Sequence, residues 1–154
     1  MFKAQTEWAK PEEFPDLRQA DTIAIDLETY DPDLKSKGSG SIVGRGKVVG
    51  IAIATDGYSG YFPFDHKGGG NLEKSKVIEW FKDVCACPAD KIFHNAMYDV
   101  CWIRAMGIKI NGNIYDTMIA ASLVNENRFR FDLGSLGWDY VGRGKNEKEL
   151  VEAA

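Results

Sequence analysis

The sequence predicts an α/β fold: a mixed five-stranded sheet, three antiparallel strands followed by parallel additions, with helices on both faces. Three observations predict it. Two strand-like runs, a Val/Ile-rich one at 48–55 and an aromatic one at 58–64, flank the turn Asp56-Gly57, the signature of a hairpin. An amphipathic stretch at 72–85 then leads to a short apolar run at 91–94, and a helical crossover within one sheet makes the strands it joins parallel. Helical and strand-like patterns alternate from there, in the order β-β-β-α-β-α-β-α.

Residues 1–20 carry Trp8, Phe14 and Leu17 around Pro11 and Pro15 and read as a lead-in arm with anchoring hydrophobes. The first strand covers 21–28, where Ile23, Ile25 and Leu27 alternate with Ala24, Asp26 and Glu28. Residues 31–47 combine Gly38, Ser39, Gly40, Ser41 and Gly44 with Lys35, Lys37, Arg45 and Lys47, a polar, mobile loop beside the acidic pair: a solvated linker, or a flap that meets a phosphate backbone. Gly68-Gly69-Gly70 breaks the chain and, without a following Lys-Ser or Lys-Thr, is not a phosphate-binding P-loop. In the 72–85 helix, Val77, Ile78, Phe81, Val84 and Cys85 share one face. A helix over 95–106 has Tyr98, Cys101, Trp102 and Ala105 as its apolar stripe, and Ile108–Ile110 reads as a further strand. The 116–124 helix is apolar nearly all round, which predicts burial, and Asp116 reads as its N-cap. A short helix over 132–140 and the start of another at 146–154 complete the chain.

A chain of 154 residues, 44% hydrophobic and 27% charged, suits one domain with a real core. The net charge of −4 argues against a general nucleic-acid coat protein but permits binding in a metal-filled cleft. Three cysteines, Cys85, Cys87 and Cys101, without a secretory signal suggest free thiols in a reducing compartment. Cys85-Ala86-Cys87 has no second Cys/His pair at zinc spacing. No apolar stretch approaches the roughly 20 residues that span a bilayer, so a cytoplasmic protein without a membrane partner is expected.

Asp26 and Glu28 lie two apart on a strand and so point the same way. Neighbouring anions are costly without a positive partner, and a hard divalent cation held by oxygen ligands is the natural one. The strands at 21–28 and 91–94 should be parallel neighbours, their carboxyl ends on one sheet edge, where open α/β folds bind ligands. Asp99, on the first turns of the helix leaving the second strand, can then converge on the pair. Asn95 and Asp99, at i and i+4, share a helix face. This predicts metal-dependent phosphoryl chemistry: Asp26 bridging two cations about 4 Å apart, Glu28 a ligand or water-orienting group, and Asp99 completing the shell of the second cation, directly or through water. A lone acid at a strand end is ordinarily a cap or turn former, which does not account for a pair inside an apolar run.

Asp26-Leu27-Glu28-Thr29 and His94-Asn95-Ala96-Met97-Tyr98-Asp99 resemble the first two exonuclease motifs of the DEDD superfamily, most closely the proofreading 3′–5′ exonuclease domain of family A DNA polymerases of the phage type. Tyr115-Asp116-Thr117-Met118 and Leu133-Gly134-Ser135-Leu136 match further landmarks, and the resemblance runs from about Trp8 to the C-terminus. It implies a ribonuclease H-like fold, two divalent cations, Mg²⁺ or Mn²⁺, and removal of nucleotides from a single-stranded DNA 3′ end. Asp26, Glu28 and Asp99 match metal ligands; Thr29 and Asn95 match residues that hold the terminal nucleotide, and Tyr30 and Leu34 lie where the family places side chains near the terminal bases. The family's third motif, Tyr-x-x-x-Asp, does not follow Asp99; Tyr61 to Asp65 has the spacing but precedes the second motif. The expectation is a single exonuclease domain over 1–154 that is C-terminally incomplete, weak or inactive alone, and completed by a continuation or polymerase domain in cis or trans. The alternative is a non-catalytic module that binds a single-stranded end or a polymerase.

Overall fold

The computed structural model describes residues 9–143. They fall into two compact units, Lys10–Thr117 and residue 9 with 118–143. The larger unit holds β1 (Thr22–Tyr30), α1 (Leu34–Lys37), β2 (Lys47–Thr55), β3 (Tyr58–Pro63), α2 (Lys74–Ala86), β4 (Asp90–Phe93), α3 (Ala96–Ala105) and β5 (Ile114–Asp116). The sheet order is β3-β2-β1-β4-β5. β1 pairs antiparallel with β2, and β2 with β3; β1 pairs parallel with β4, and β4 with β5. This is the mixed five-stranded sheet that the sequence predicts.

Alternation on the strands divides the sheet into two faces. Ile23, Ile25 and Leu27 of β1, Ile51 and Ile53 of β2, and Phe62 of β3 are buried in one cluster with Val77, Phe81, Val84 and Cys85 of α2 and Trp102 and Ile103 of α3. The lead-in arm joins it: Phe14 stacks on Phe62 and tilts against Trp80, whose indole N–H donates to the Pro15 carbonyl at 2.9 Å. Trp8 lies outside the described residues. Ile78 of α2 and Trp102, Ala105 and Met106 of α3 line one cleft, so these helices are neighbours over the same face. The other face carries Ala24, Asp26, Glu28, Ala52 and Tyr61, none of them buried. Within this unit, therefore, helices cover one face and leave the acidic one accessible, where the sequence pattern suggested cover on both.

The strand expected at Ile108–Ile110 is a loop, and the fifth strand begins at Ile114. Gly107 and Gly112 take φ of 74° and 79° and turn the chain on either side of it. At Gly112 a Cβ would sit 2.2 Å from the Ala89 carbonyl, so the loop presses against the turn between α2 and β4. There Asn111 N–H donates to Cys85 O and its side-chain amide to Ala86 O, both at 2.8 Å. The Lys91 ammonium, fully buried, donates to Cys87 O, Ala89 O and Asn111 O at 2.6, 2.7 and 3.0 Å. The 108–111 segment thus closes the end of a helix instead of a ladder, satisfying carbonyls that α2 leaves orphaned.

The 31–47 segment is tied internally rather than loose. Asp31 accepts from Gly40 N–H at 2.8 Å, and Asp33 pairs with Lys37 and Arg45. Cys85 and Cys87 are buried free thiols and Cys101 is a half-buried one. Burial pushes the Cys85 thiol up to about 12, which leaves it unreactive.

The chain continues into α4 (Thr117–Val124) and α5 (Leu133–Val141). Asp132 caps α5, accepting from Ser135 N–H at 3.0 Å and its hydroxyl at 2.8 Å, and these bonds hold its carboxyl at about 2. α4 is not the buried helix its composition suggests: Ala121 is buried, but Ile119, Leu123 and Val124 are exposed. An apolar circumference gives a helix no preferred side, so packing alone decides which part is covered. The helix expected at 146–154 falls outside the described residues. No helix among the described residues is long and apolar enough to cross a membrane.

Candidate active site

Asp26 and Glu28 project side by side from the accessible face of β1. Immediately after Glu28 the β1–β2 register shifts by a bulge, which ends the regular ladder at the acidic pair. Asp99 arrives from the first turn of α3 and is 3% exposed. Its Oδ1 accepts the backbone N–H of Leu27, between the two β1 acids, at 3.0 Å. Burial pushes the Asp99 carboxyl up to about 7; the Leu27 N–H opposes this, and the Asp26 charge adds to it. Asp99 thus meets the β1 backbone between Asp26 and Glu28, on the side of β1 that pairs with β4.

The start of α3 is held from an unexpected direction. Asp116 directly precedes α4 and also serves an earlier helix. It ends β5, and its two carboxylate oxygens accept from Asn95 N–H at 3.0 Å and Ala96 N–H at 2.8 Å, so it caps α3 across the sheet edge. The β4–β5 pairing sets Asp116 beside Phe93, just before these free N–H groups. Asn95 itself stands in the left-handed region, φ 63° and ψ 55°, and among the described residues no other non-glycine residue has a positive φ. Replacing Asp116 by alanine should cost about 1–2 kcal/mol in urea unfolding. A loss below about 0.3 kcal/mol would mean that water replaces the carboxylate without penalty.

The other predicted residues lie on β1, α1 and the start of α3. The Thr29 hydroxyl bonds the Tyr98 hydroxyl at 2.7 Å, joining β1 to α3. Tyr30 is exposed, with the Lys67 ammonium 4.9 Å from its ring centre. Leu34, also exposed, opens α1. His94 Nδ1 lies 2.9 Å from the Thr117 hydroxyl, which donates to Phe93 O.

Sequence reading passed over Tyr61. Opposite residues share a face, and the row Asp26–Ala52–Tyr61 sets it on the acidic face. Burial raises its phenol, with the charges of Glu28 and Asp26 adding to the effect. Alternation on 58–64, read against the acidic strand, was the available signal. Asp65, by contrast, is held at about 2 by hydrogen bonds from Lys47 and Lys74.

As a donor set, these oxygens fit a hard cation incompletely enclosed by protein. No group of three carboxylate, histidine or cysteine side chains closes on one point among the described residues. Asp99 turns one oxygen to Leu27, while Asp26 and Glu28 face solvent. Mg²⁺ keeps several waters and is commonly held by one or two carboxylates plus substrate phosphates, which suits such an open arrangement.

A family model described as a 3′–5′ exonuclease, of the A-type DNA polymerase group, matches residues 5–153. The chain belongs to this family. A DNA-directed DNA polymerase of Pseudomonas phage M6 is 32% identical over 97% of the chain, which spans 24% of that relative's length. RNase D of Trypanosoma brucei has a TM-score of 0.64 at 18% identity, covering 90% of this chain and 46% of its own. NrnC of Brucella melitensis with bound Mg²⁺ has a TM-score of 0.60 at 18% identity, covering 88% and 61%. These structural likenesses show that the exonuclease domain shares their ribonuclease H-like fold.

Proposed function

We propose that the exonuclease domain removes nucleotides from a single-stranded DNA 3′ end, as the proofreading part of a cytoplasmic DNA polymerase, using two divalent cations, Mg²⁺ or Mn²⁺. The observation that carries the reading is the buried Asp99 carboxyl, set against the charge of Asp26 beneath two exposed acids on one strand face. Three anions assembled without a cation among them are mutually repelling, and a divalent ion relieves that cost. Bound there, such ions supply an activated water and stabilise the leaving oxygen. Asp26, Glu28 and Asp99 would hold them, with Leu27 N–H fixing the Asp99 carboxylate.

Asn95, Thr29, Tyr30 and Leu34 would hold the terminal nucleotide. The stiff start of α3 would present Asn95 in one orientation. Asp26, Glu28 and Asp99 are the acids of the first two motifs, and a low rate is expected where they act alone. A polymerase domain or continuation, in cis or trans, is the expected partner, in keeping with the polymerase relative.

The test is calorimetric titration with Mn²⁺ of the wild-type chain and Asp26→Ala, paired with digestion of a 5′-labelled single-stranded oligonucleotide. Saturable binding that the substitution weakens at least about 100-fold is expected. No binding at millimolar Mn²⁺, or equal binding by both chains, would remove the proposed site. Binding without digestion, even by a chain extended through a following Tyr-x-x-x-Asp, would favour the non-catalytic module.

A further inference from the structure

The triple glycine and the residues before it take no part in the site as described so far, yet they build a closed structure against it. Asn71 clamps His66 from both sides: its Oδ1 accepts from His66 N–H at 2.9 Å, and its amide donates to His66 O at 2.8 Å. Between them Gly69 and Gly70, with φ of 86° and 73°, make the turn that lets the chain close. The His66 backbone is thereby fixed, and the ring it carries bonds the Tyr61 hydroxyl through Nε2. Tyr61 in turn leans over Gly50. A Cβ at Gly50 would lie 2.0 Å from the Tyr61 hydroxyl oxygen, so the phenol occupies the space where a side chain would be. Gly50 is the β2 residue directly opposite Glu28. The missing side chain on one strand therefore lets a tyrosine from the next strand reach the carboxylate on the first.

We propose that Tyr61, braced by His66, is a positioning residue for Glu28. With His66 donating from Nε2, the Tyr61 O–H is left to donate to the neighbouring carboxylate, and the chain Asn71–His66–Tyr61 fixes the aim of an otherwise exposed acid. Carboxylates that hold metal ions are themselves commonly hydrogen-bonded, and losing such a partner typically weakens binding or activity 10- to 100-fold. The proposal rests on the metal-holding role given to Glu28 above.

The experiment is Mn²⁺ calorimetry on the wild-type chain, Tyr61→Phe, His66→Ala and His66→Gln, with a thermal melt of each without metal. Tyr61→Phe and His66→Ala should weaken binding about 10- to 100-fold while melting close to the wild type. His66→Gln, whose amide can donate in place of Nε2, should recover most of the affinity, which simple loss of packing would not allow. If Tyr61→Phe fails to fold, Gly50→Ala, which displaces the ring while keeping the phenol, replaces it and should show the same loss. Unchanged affinity in Tyr61→Phe, or equal loss in His66→Ala and His66→Gln, overturns the proposal while leaving the metal site intact. A wild-type chain that binds no Mn²⁺ overturns the site and the brace together.

Discussion

Replacing Lys91 by methionine should destabilise the domain by about 3–5 kcal/mol, a large part of the margin of a small protein. The stem volume is nearly kept, so the effect isolates the ammonium. Lys91 is fully buried and lacks a carboxylate partner in the described structure; its charge is met by the carbonyls of Cys87, Ala89 and Asn111. Those carbonyls belong to the end of α2, the turn that follows and the loop before β5. The positive charge also faces the negative end of the α2 dipole. Methionine leaves the buried Cys87 and Ala89 acceptors without this donor, each costing about 1–3 kcal/mol, and the part-buried Asn111 one as well, offset by no longer desolvating an ammonium. Urea denaturation at neutral pH measures it. A loss under about 1 kcal/mol would show that water enters and satisfies the carbonyls.

Asp99→Asn should make the metal-free protein more stable near neutral and alkaline pH and make no difference in acid. The folded carboxyl is raised to about 7 from an ordinary 3.8, chiefly by burial. Below the ordinary value it is protonated in folded and unfolded chains alike and costs nothing. Between the two values the unfolded chain ionises while the folded one keeps its proton, so stability falls as pH rises. Above about 7 the folded form is ionised too, and the penalty is complete, on the order of a few kcal/mol. Asparagine can still accept the Leu27 N–H but never ionises. Thermal melts in a chelating buffer from about pH 4 to pH 8 should show the variant's advantage opening with pH. Added Mn²⁺ should stabilise the wild type and not the variant, since a ligand stabilises only the state that binds it. A variant less stable at every pH would mean that Asp99 is held for its hydrogen bonding, not tolerated for its charge.

Local pattern made much of this protein legible. Alternation at 22–28 placed Asp26 and Glu28 on one face, the crossover through 74–86 made β1 and β4 neighbours, and the two together brought Asp99 to the pair. What misled was local in the same sense. Ile108–Ile110 has strand-like residues, but Ile108 N–H goes to Ile103 O at the end of α3, and Asn111 just after it closes the end of α2. Asp116 stands where an N-cap stands, and nothing local shows that it also serves a helix 20 residues earlier in the chain. A capping oxygen needs only to be near free N–H groups in space, and sequence order says nothing about that.

The sequence by itself determined the strand faces, the crossover and the identity of the three acids, because these follow from periods of 2 and 3.6 acting over a few residues. Only the tertiary structure decided which carboxyl is buried, which acid caps which helix, that Lys91 closes α2, and that Gly50 leaves room for Tyr61 beside Glu28. Each of those depends on what distant segments bring to one point, and on the burial they create there. No local pattern encodes that.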